Sequence, residues 1–145
     1  METIRTCLDA GGKVLICGNG GSAAQADHFM AEMIGSGLAC VSLTNPAVIT
    51  ALANDYIYDV IFIRQIIALG KPGDVVILLS TSGTSPNIML VEELVPRKGF
   101  QIIILPNQTQ EEYKDMDTQE IQHLHQKILH QIWKGLYDGT LDKNI

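Results

Sequence analysis

Four side chains that can bind a metal or move a proton occur at helical spacings in two separate parts of this chain. His28 and Glu32 are four residues apart, so they lie on one face of a predicted helix. Gln122 and His130 are eight residues apart, about two helical turns, and share a side of a second helix. Two imidazoles, a carboxylate and an amide oxygen form a reasonable divalent-metal site, in which the imidazoles favour zinc. Glu32 and His130 are equally suited to act as an acid/base pair next to a carbonyl group.

Spacing alone leaves other interpretations of these residues open. A histidine and a glutamate four residues apart on a helix usually form a plain surface pair. His123 precedes His130 by seven residues, so spacing does not exclude it as a rival ligand. His125 lies towards the other side of Gln122. We interpret His123 and His125 as solvated or packing side chains.

A glycine-rich loop near the start of the chain is typical of a ligand site. The apolar residues 14–17 predict a buried strand, and they run directly into Gly18, Gly20 and Gly21. Glycine permits positive φ and lets the backbone approach a ligand closely. We expect Ser22 to be the N-cap of the following helix, with an anion site at its amides. An ordinary strand-to-helix turn needs only one glycine.

A second loop, Ser80–Ser85, follows another apolar run and carries five hydroxyl groups around one glycine. Pro86 then suits the first position of a helix, which makes Ser85 the expected N-cap. Hydroxyl and amide donors arranged in this way can bind a phosphate without any cationic side chain. The alternative is a polar loop that ends in a capped helix.

Two further features have both a functional and a structural interpretation. Asn54 and Asp55 end a short predicted helix, where their side chains can hydrogen-bond sugar hydroxyls; alternatively, Asn54 simply caps that helix. An apolar stripe along the last predicted helix ends at Trp133. We assign this stripe to the core or to a subunit interface.

Strands and helices alternate along the chain, which predicts an α/β domain with a mainly parallel sheet. The predicted strands cover residues 13–17, 38–43, 74–79 and 100–105, and the predicted helices cover residues 1–10, 23–34, 47–54, 59–69, 86–95 and 119–136. Parallel sheets bind ligands at the carboxyl ends of their strands. Gly18–Ser22, the glycine loop, and Ser80–Ser85, the hydroxyl loop, both follow such ends. We expect these two special loops to form one site.

Length and composition limit the classes of function. The chain has 145 residues, which fits a single domain, and 46% of them are hydrophobic. A net charge of −6 provides no basic surface for nucleic acid. The three cysteines lack metal or disulfide spacing, which indicates a reducing compartment, with Cys17 as a small buried hydrophobe. Neither a signal peptide nor a membrane-spanning run is recognisable, so we expect a cytoplasmic protein without membrane partners.

Four segments, together with Gln122 and His130, closely resemble the sugar isomerase (SIS) domain of phosphoheptose isomerases. The segments are Gly18–Ala24, His28–Glu32, Ala53–Tyr56 and Ser80–Asn87. They follow the order of that family and extend over nearly the whole chain. The resemblance implies a single SIS domain over residues 1–145, which is a flavodoxin-like, three-layer α/β sandwich with a mainly parallel sheet.

The resemblance also implies an activity and a site. The expected reaction isomerises sedoheptulose 7-phosphate to D-glycero-D-manno-heptose 7-phosphate through an enediol, with Glu32 and His130 relaying protons. The expected assembly is a homotetramer with sites between subunits and one Zn²⁺ per subunit, bound by residues matching His28, Glu32, Gln122 and His130. The implied substrate contacts are Asn19, Gly20, Gly21, Ser22, Asn54, Asp55, Ser80, Thr81, Ser82, Ser85 and Gln122.

This chain departs from the family pattern in three places. Gly35-Ser-Gly37 replaces a longer, basic segment, the first helix is short, and a strand expected between Leu105 and Gln119 is absent. A non-catalytic SIS protein, such as a replication-initiator-associating regulator, is the alternative function. That group resembles this chain less at the second zinc position, so His130 favours the enzyme. The sugar-sensing domain of a regulator ranks last, since no DNA-binding module accompanies it.

Overall fold

Four short strands form one parallel sheet in the order β2-β1-β3-β4. The computed structural model describes residues 1–137. The strands are β1 (Val14–Gly18), β2 (Cys40–Ser42), β3 (Val75–Leu79) and β4 (Gln101–Ile104). All residues of β1 and β3 are buried, as expected for central strands covered on both faces.

Helices cover both faces of this sheet and produce the three predicted layers. The α-helices are α1 (Glu2–Asp9), α2 (Gly21–Gly35), α3 (Pro46–Asp55), α4 (Ile61–Leu69), α5 (Pro86–Leu94) and α6 (Thr118–Leu136). Side chains alternate along each strand. Val14 and Ile16 therefore pack in one core beneath α1, α2 and α6, whereas Leu15 and Cys17 pack in a second core beneath α3, α4 and α5. The predicted three-layer α/β architecture is confirmed.

Two local predictions are wrong. Helix α2 begins at Gly21, so its N-cap is Gly20 and not Ser22. Gly20 has φ +57° and completes the turn early, which draws Ser22 into the first helical turn with its N–H bonded to the Asn19 carbonyl. The predicted helix over 59–69 is also divided, because Tyr58–Val60 forms a 3₁₀ turn before α4.

Helices α2 and α6 lie side by side and run in the same direction. Residues further along α2 contact residues further along α6, which shows that the two helices are parallel. The contacts are Gly21 with Gln122, Gln25 with Gln126, Glu32 with His130, and Ser36 with Trp133. Asp117 and Glu120 form a capping box that fixes where α6 begins. This parallel arrangement brings the chemistry-bearing residues of two distant segments together.

The three cysteines lie in the core without disulfides. Cys7, Cys17 and Cys40 are all free and buried. Burial raises the pKa of Cys17, and it raises the pKa of Cys40 to about 12. Cys17 packs among the apolar residues beneath α4 and α5, so its interpretation as a small hydrophobe is confirmed.

An ion pair lies at the amino ends of β1 and β3, at the opposite ends of these strands from the two special loops. Lys13 Nζ lies 2.7 Å from Asp74 Oδ2, and the backbone N–H groups of Lys13 and Lys71 donate to the same carboxylate. Burial alone would raise the pKa of the Asp74 carboxyl. The hydrogen bonds and the Lys13 charge outweigh burial, so that this pKa lies below its ordinary value.

The segment between β4 and α6 is anchored by a buried histidine. It contains turns and no strand. His125 Nε2 donates to the Pro106 carbonyl at 2.6 Å, while His125 Nδ1 is buried without a partner among residues 1–137. Burial lowers the pKa of His125, although the hydrogen bond to Pro106 acts in the opposite direction. None of the helices in the described part of the chain is long and apolar enough to cross a membrane.

The lowered pKa of His125 makes stability depend on pH. Below the ordinary pKa of 6.5 the unfolded chain takes up a proton that the folded protein binds less readily. The free energy of unfolding should therefore be highest above pH 6.5 and should decrease as the pH falls from 6.5 to the folded-state pKa. Chemical denaturation from pH 5 to 8 measures this change.

The variant His125→Leu isolates the contribution of this residue. It should lose that part of the pH dependence, and it should be about 1–3 kcal/mol less stable at pH 8 because the Pro106 carbonyl loses its donor. Identical pH slopes for parent and variant would contradict the assignment.

Candidate functional site

The two special loops meet around one cavity at the carboxyl ends of β1 and β3. The cavity has a volume of about 280 Å³. Its lining includes most of the expected substrate contacts, namely Asn19, Gly20, Gly21, Ser22, Ser80, Thr81, Ser85 and Gln122, together with Leu79 and Thr118. The in-register pairing of Gly18 with Leu79 explains why the loops that follow these residues meet.

The glycine loop leaves room for α6 to reach the cavity. A Cβ on Gly21 would lie 2.5 Å from Gln122 Nε2, so a larger residue would push the Gln122 amide away. Thr118, in the first turn of α6, lines the cavity beside Gln122. Sequence analysis missed Thr118, because its position at a loop boundary gave no periodic signal.

The hydroxyl loop is held by its own hydrogen bonds and by the chain after β4. Ser80 Oγ accepts from the Gly83 N–H at 3.1 Å and lies 3.4 Å from Ser85 Oγ. Ser85 is the N-cap of α5, as predicted, yet its side chain makes no capping hydrogen bond. Its hydroxyl can therefore donate to a ligand. The Gln108 N–H donates to the Thr81 carbonyl and supports the loop from behind.

The cavity is suited to an anion although no cationic side chain from residues 1–137 lines it. The amino ends of α2 and α5 face this region through Gly20 and Ser85, and helix N-termini carry partial positive charge. Backbone amides and hydroxyl groups supply neutral donors. Phosphate binding by these donors, which the sequence predicts, stays a prediction.

Three of the expected substrate contacts do not line this cavity. Ser82 Oγ accepts from the N–H and the hydroxyl of Thr84, both at 3.2 Å. Asn54 and Asp55 are exposed in the last turn of α3, where Asn54 Nδ2 donates to Asp55 Oδ1 at 3.0 Å. Tyr56 is the C-cap of that helix, so the alternative in which Asn54 caps it is wrong.

Glu32 lies between two histidines on the facing sides of α2 and α6. His130 Nδ1 is 2.9 Å from Glu32 Oε1, and His28 Nε2 is 3.5 Å from the same oxygen. The two imidazole rings meet edge to face, with centroids 5.2 Å apart. One ligand atom from each of His28, Glu32 and His130 lies within 4.8 Å of the others.

This cluster fits a divalent metal. Two imidazoles and one carboxylate are a ligand set that zinc prefers, and catalytic zinc sites commonly use three protein ligands with an open position. His28 is exposed, whereas Glu32 and His130 are half-buried, so the cluster can be reached from solvent. His123 is exposed and His125 is buried, which agrees with their interpretation as solvated and packing residues.

The amide next to His130 belongs to Gln126, a residue that sequence analysis missed. Gln126 Nε2 lies 3.1 Å from His130 Nε2. Gln25 Nε2 donates to the Gln122 carbonyl at 2.7 Å and lies 3.5 Å from Gln126 Oε1. The spacing of four residues between Gln126 and His130 was the available signal. The side chain of Gln122 itself borders the cavity.

Comparisons with known proteins agree with this arrangement. The SIS domain family model matches residues 1–106. A phosphoheptose isomerase from Methylibium petroleiphilum is 44% identical over 112 residues, which are 72% of this chain and 56% of that relative. A probable phosphoheptose isomerase from Thermoplasma acidophilum is 40% identical over 148 residues, or 90% of this chain and 81% of the relative. The chain thus spans about half the length of the Methylibium relative.

A solved structure gives the same result for the fold. The phosphoheptose isomerase from Neisseria gonorrhoeae matches with a TM-score of 0.86 at 36% identity, over 93% of this chain and 81% of that one. The similarity therefore includes α6 and extends beyond the residues that the family model matches.

The variant Gly83→Ala in the hydroxyl loop should destabilise the protein more than an equally strained control. Gly83 has φ +69°, and a Cβ there would collide with the Asn107 side chain. Gly11 has φ +71°, but no atom of the described residues lies within 4 Å of the point where its Cβ would be. Both variants should lose about 1–2 kcal/mol from left-handed strain. Only Gly83→Ala should lose more than this in denaturation experiments, and equal losses would contradict the close approach of Asn107.

Proposed function

The chain belongs to the SIS domain family, and we propose that it is a phosphoheptose isomerase that converts sedoheptulose 7-phosphate to D-glycero-D-manno-heptose 7-phosphate. The observation that carries this proposal is the hydrogen bond of 2.9 Å between Glu32 and His130. The helices α2 and α6, which carry this pair, also border the cavity between the two loops, which we call the phosphate cradle. Relatives named phosphoheptose isomerase support it.

The chemistry of the pair suits an exchange between ketose and aldose. A base removes the proton from the carbon next to the carbonyl, and an acid protonates the carbonyl oxygen, which gives an enediol. The reverse transfers at the neighbouring atoms give the aldose. Because Glu32 and His130 are hydrogen-bonded to each other, a proton taken up by one residue can pass to the other.

The separation between cradle and pair favours a long sugar. Gln122 borders the cradle, and His130 follows it by eight residues on α6, which is about 12 Å along the helix. A sugar whose phosphate lies at the opposite end from its carbonyl can extend between two such positions. A phosphorylated heptose has this form.

We assign a zinc ion to the cluster of His28, Glu32 and His130. The family resemblance implies Gln122 as a fourth ligand, and the Gln122 amide would have to turn from Gly21 towards His130 to reach the same ion. A bound zinc supplies positive charge that polarises a carbonyl oxygen or orients neighbouring groups. With a zinc ion on the Nδ1 side of His130, beside Glu32, the Gln126 side chain next to Nε2 would hold the other ring nitrogen and orient the imidazole.

The proposed assembly is a homotetramer with sites between subunits. Large apolar side chains remain exposed on the single chain, including Ile34, Ile57, Ile67, Leu69 and Met89. Exposed apolar surface is commonly covered by self-association. Such an assembly also gives a role to Asn54 and Asp55, because these exposed residues can then contact substrate in the site of a neighbouring subunit.

The alternative is a SIS protein that binds a sugar phosphate without catalysis. The cradle alone would serve this function. The hydrogen-bonded pair of Glu32 and His130 favours the enzyme, because a protein that only binds its ligand needs no proton transfer.

Incubation with sedoheptulose 7-phosphate tests the reaction. The parent protein should form an aldose phosphate, detected by chromatography or NMR. Glu32→Gln should lower kcat by about 10²- to 10⁴-fold, because the amide cannot accept the proton. The control Glu92→Gln, at an exposed position on α5, should keep full activity. Binding of the sugar phosphate without turnover would instead support the non-catalytic alternative.

Zinc content provides a separate test of the metal assignment. After incubation with zinc and dialysis, the parent protein should retain one equivalent per chain by elemental analysis, whereas His130→Ala should retain much less. His123→Ala is the matched control, because His123 is an exposed histidine on the same helix and should be dispensable. Equal zinc content in parent and His130→Ala would refute the assignment.

A further inference from the structure

We propose that Asn19, Asn87 and Tyr58 form a clamp that ties the two ligand loops together, with Asn87 and Tyr58 acting as positioning residues for the phosphate cradle. This inference rests on the proposed function, since the cradle is where the sugar phosphate would bind. The clamp joins the glycine loop, the start of α5 and the 3₁₀ turn after α3.

The centre of the clamp is a reciprocal pair of amides. Asn19 Nδ2 donates to Asn87 Oδ1, and Asn87 Nδ2 donates to Asn19 Oδ1, both at 2.9 Å. Asn87 is only 1% exposed and follows Ser85, a cavity-lining residue, by two positions. A buried amide without partners is costly, so this pair strongly favours one distance between the two loops.

Tyr58 adds a third element to the pair. Its hydroxyl donates to Asn19 Oδ1 at 3.0 Å, although half of the Tyr58 side chain is exposed. The segment that carries Asn54 and Asp55 is thereby connected to the glycine loop. Tyr58 was not identified as a site residue from the sequence.

The clamp restricts what Asn19 can offer a ligand. An amide oxygen has two lone pairs, and both of those on Asn19 are used, by Asn87 and by Tyr58. One of the two N–H hydrogens of Asn19 is also used, by Asn87. Asn19 can therefore donate a single N–H to a substrate, and its other groups hold the loops in place.

Tying the loops together matters because both contribute donors to the same anion. Hydrogen bonds to a phosphate weaken when the donor distance changes by a few tenths of an ångström. If the loops move independently, binding must also restrict that motion, which lowers affinity. The acid/base pair of Glu32 and His130 has no contact with the clamp among the hydrogen bonds of the described residues, so the clamp should affect binding more than chemistry.

The test measures binding and turnover in zinc-loaded protein. Tyr58→Phe removes one hydroxyl at a half-exposed position and should preserve folding. It should weaken binding of sedoheptulose 7-phosphate and raise KM about 2- to 10-fold, the usual range for one hydrogen bond. The value of kcat and the zinc content should stay unchanged. Tyr56→Phe is the matched control, because Tyr56 is equally exposed and its ring packs under Arg64 without a hydroxyl contact to the loops.

Asn87→Asp gives a second, stronger perturbation. It places a carboxylate oxygen against Asn19 Oδ1, so we expect at least a tenfold loss of affinity for the sugar phosphate. Equal affinities for the parent, Tyr58→Phe and a folded Asn87→Asp would overturn the clamp. If Asn87→Asp does not fold, the comparison of Tyr58→Phe with Tyr56→Phe decides alone.

Inorganic phosphate, measured by calorimetry on the same proteins, separates this inference from the proposed function. If the parent binds phosphate but does not isomerise the sugar, the isomerase proposal fails, and the phosphate affinities of the variants decide on the clamp. If the parent binds neither ligand, both proposals are refuted.

Discussion

The pairing of β1 with β3 is the constraint on which the rest of the site depends. Five residues of each strand pair in parallel register, from Val14 with Val75 to Gly18 with Leu79. Parallel pairing places the carboxyl ends of both strands at one edge of the sheet, so the glycine loop and the hydroxyl loop emerge side by side. At the amino ends of the same two strands, the residues that precede them form the ion pair of Lys13 and Asp74. The two loops can therefore contribute donors to a single ligand.

A second constraint is the parallel packing of α2 and α6. Gly21 allows the amide of Gln122 to approach closely at the amino end of α2, and Glu32 meets His130 about three turns later on α2 and about two turns later on α6. One helix pair thus carries both the border of the cavity and the hydrogen-bonded pair of Glu32 and His130. Helix geometry sets the distance between these two parts of the site, which is why we propose an extended substrate.

The acidic composition of the chain is compatible with the proposed anion site because the donors act locally. Backbone amides, hydroxyl groups and helix ends act over a few ångströms, whereas the net charge of −6 is spread over the surface. Neutral donors bind an anion well only when each of them lies at hydrogen-bonding distance from it, so the positions of the donors matter more than the net charge of the protein. Several contacts hold the loops in place. Asn107 packs against Gly83 of the hydroxyl loop, His125 donates to the Pro106 carbonyl, and the side chains of Asn19 and Asn87 are hydrogen-bonded to each other.

The sequence by itself determined the order and the approximate bounds of the strands, the helices and the two loops, because apolar periodicity, glycine and proline act through neighbouring residues. It also selected Glu32 and His130, since their spacing marks helix faces and the family motifs carry them. Only the tertiary structure decided which faces meet. A period of 3.6 residues defines a face but not the register between helices that are about 100 residues apart, so the contacts of Gln25 with Gln122 and Gln126 could not be predicted. The contact of Asn87 with Asn19 likewise depends on how two distant segments meet. For the same reason, the exposed positions of Asn54 and Asp55, away from the cavity of their own chain, emerged only from the folded arrangement.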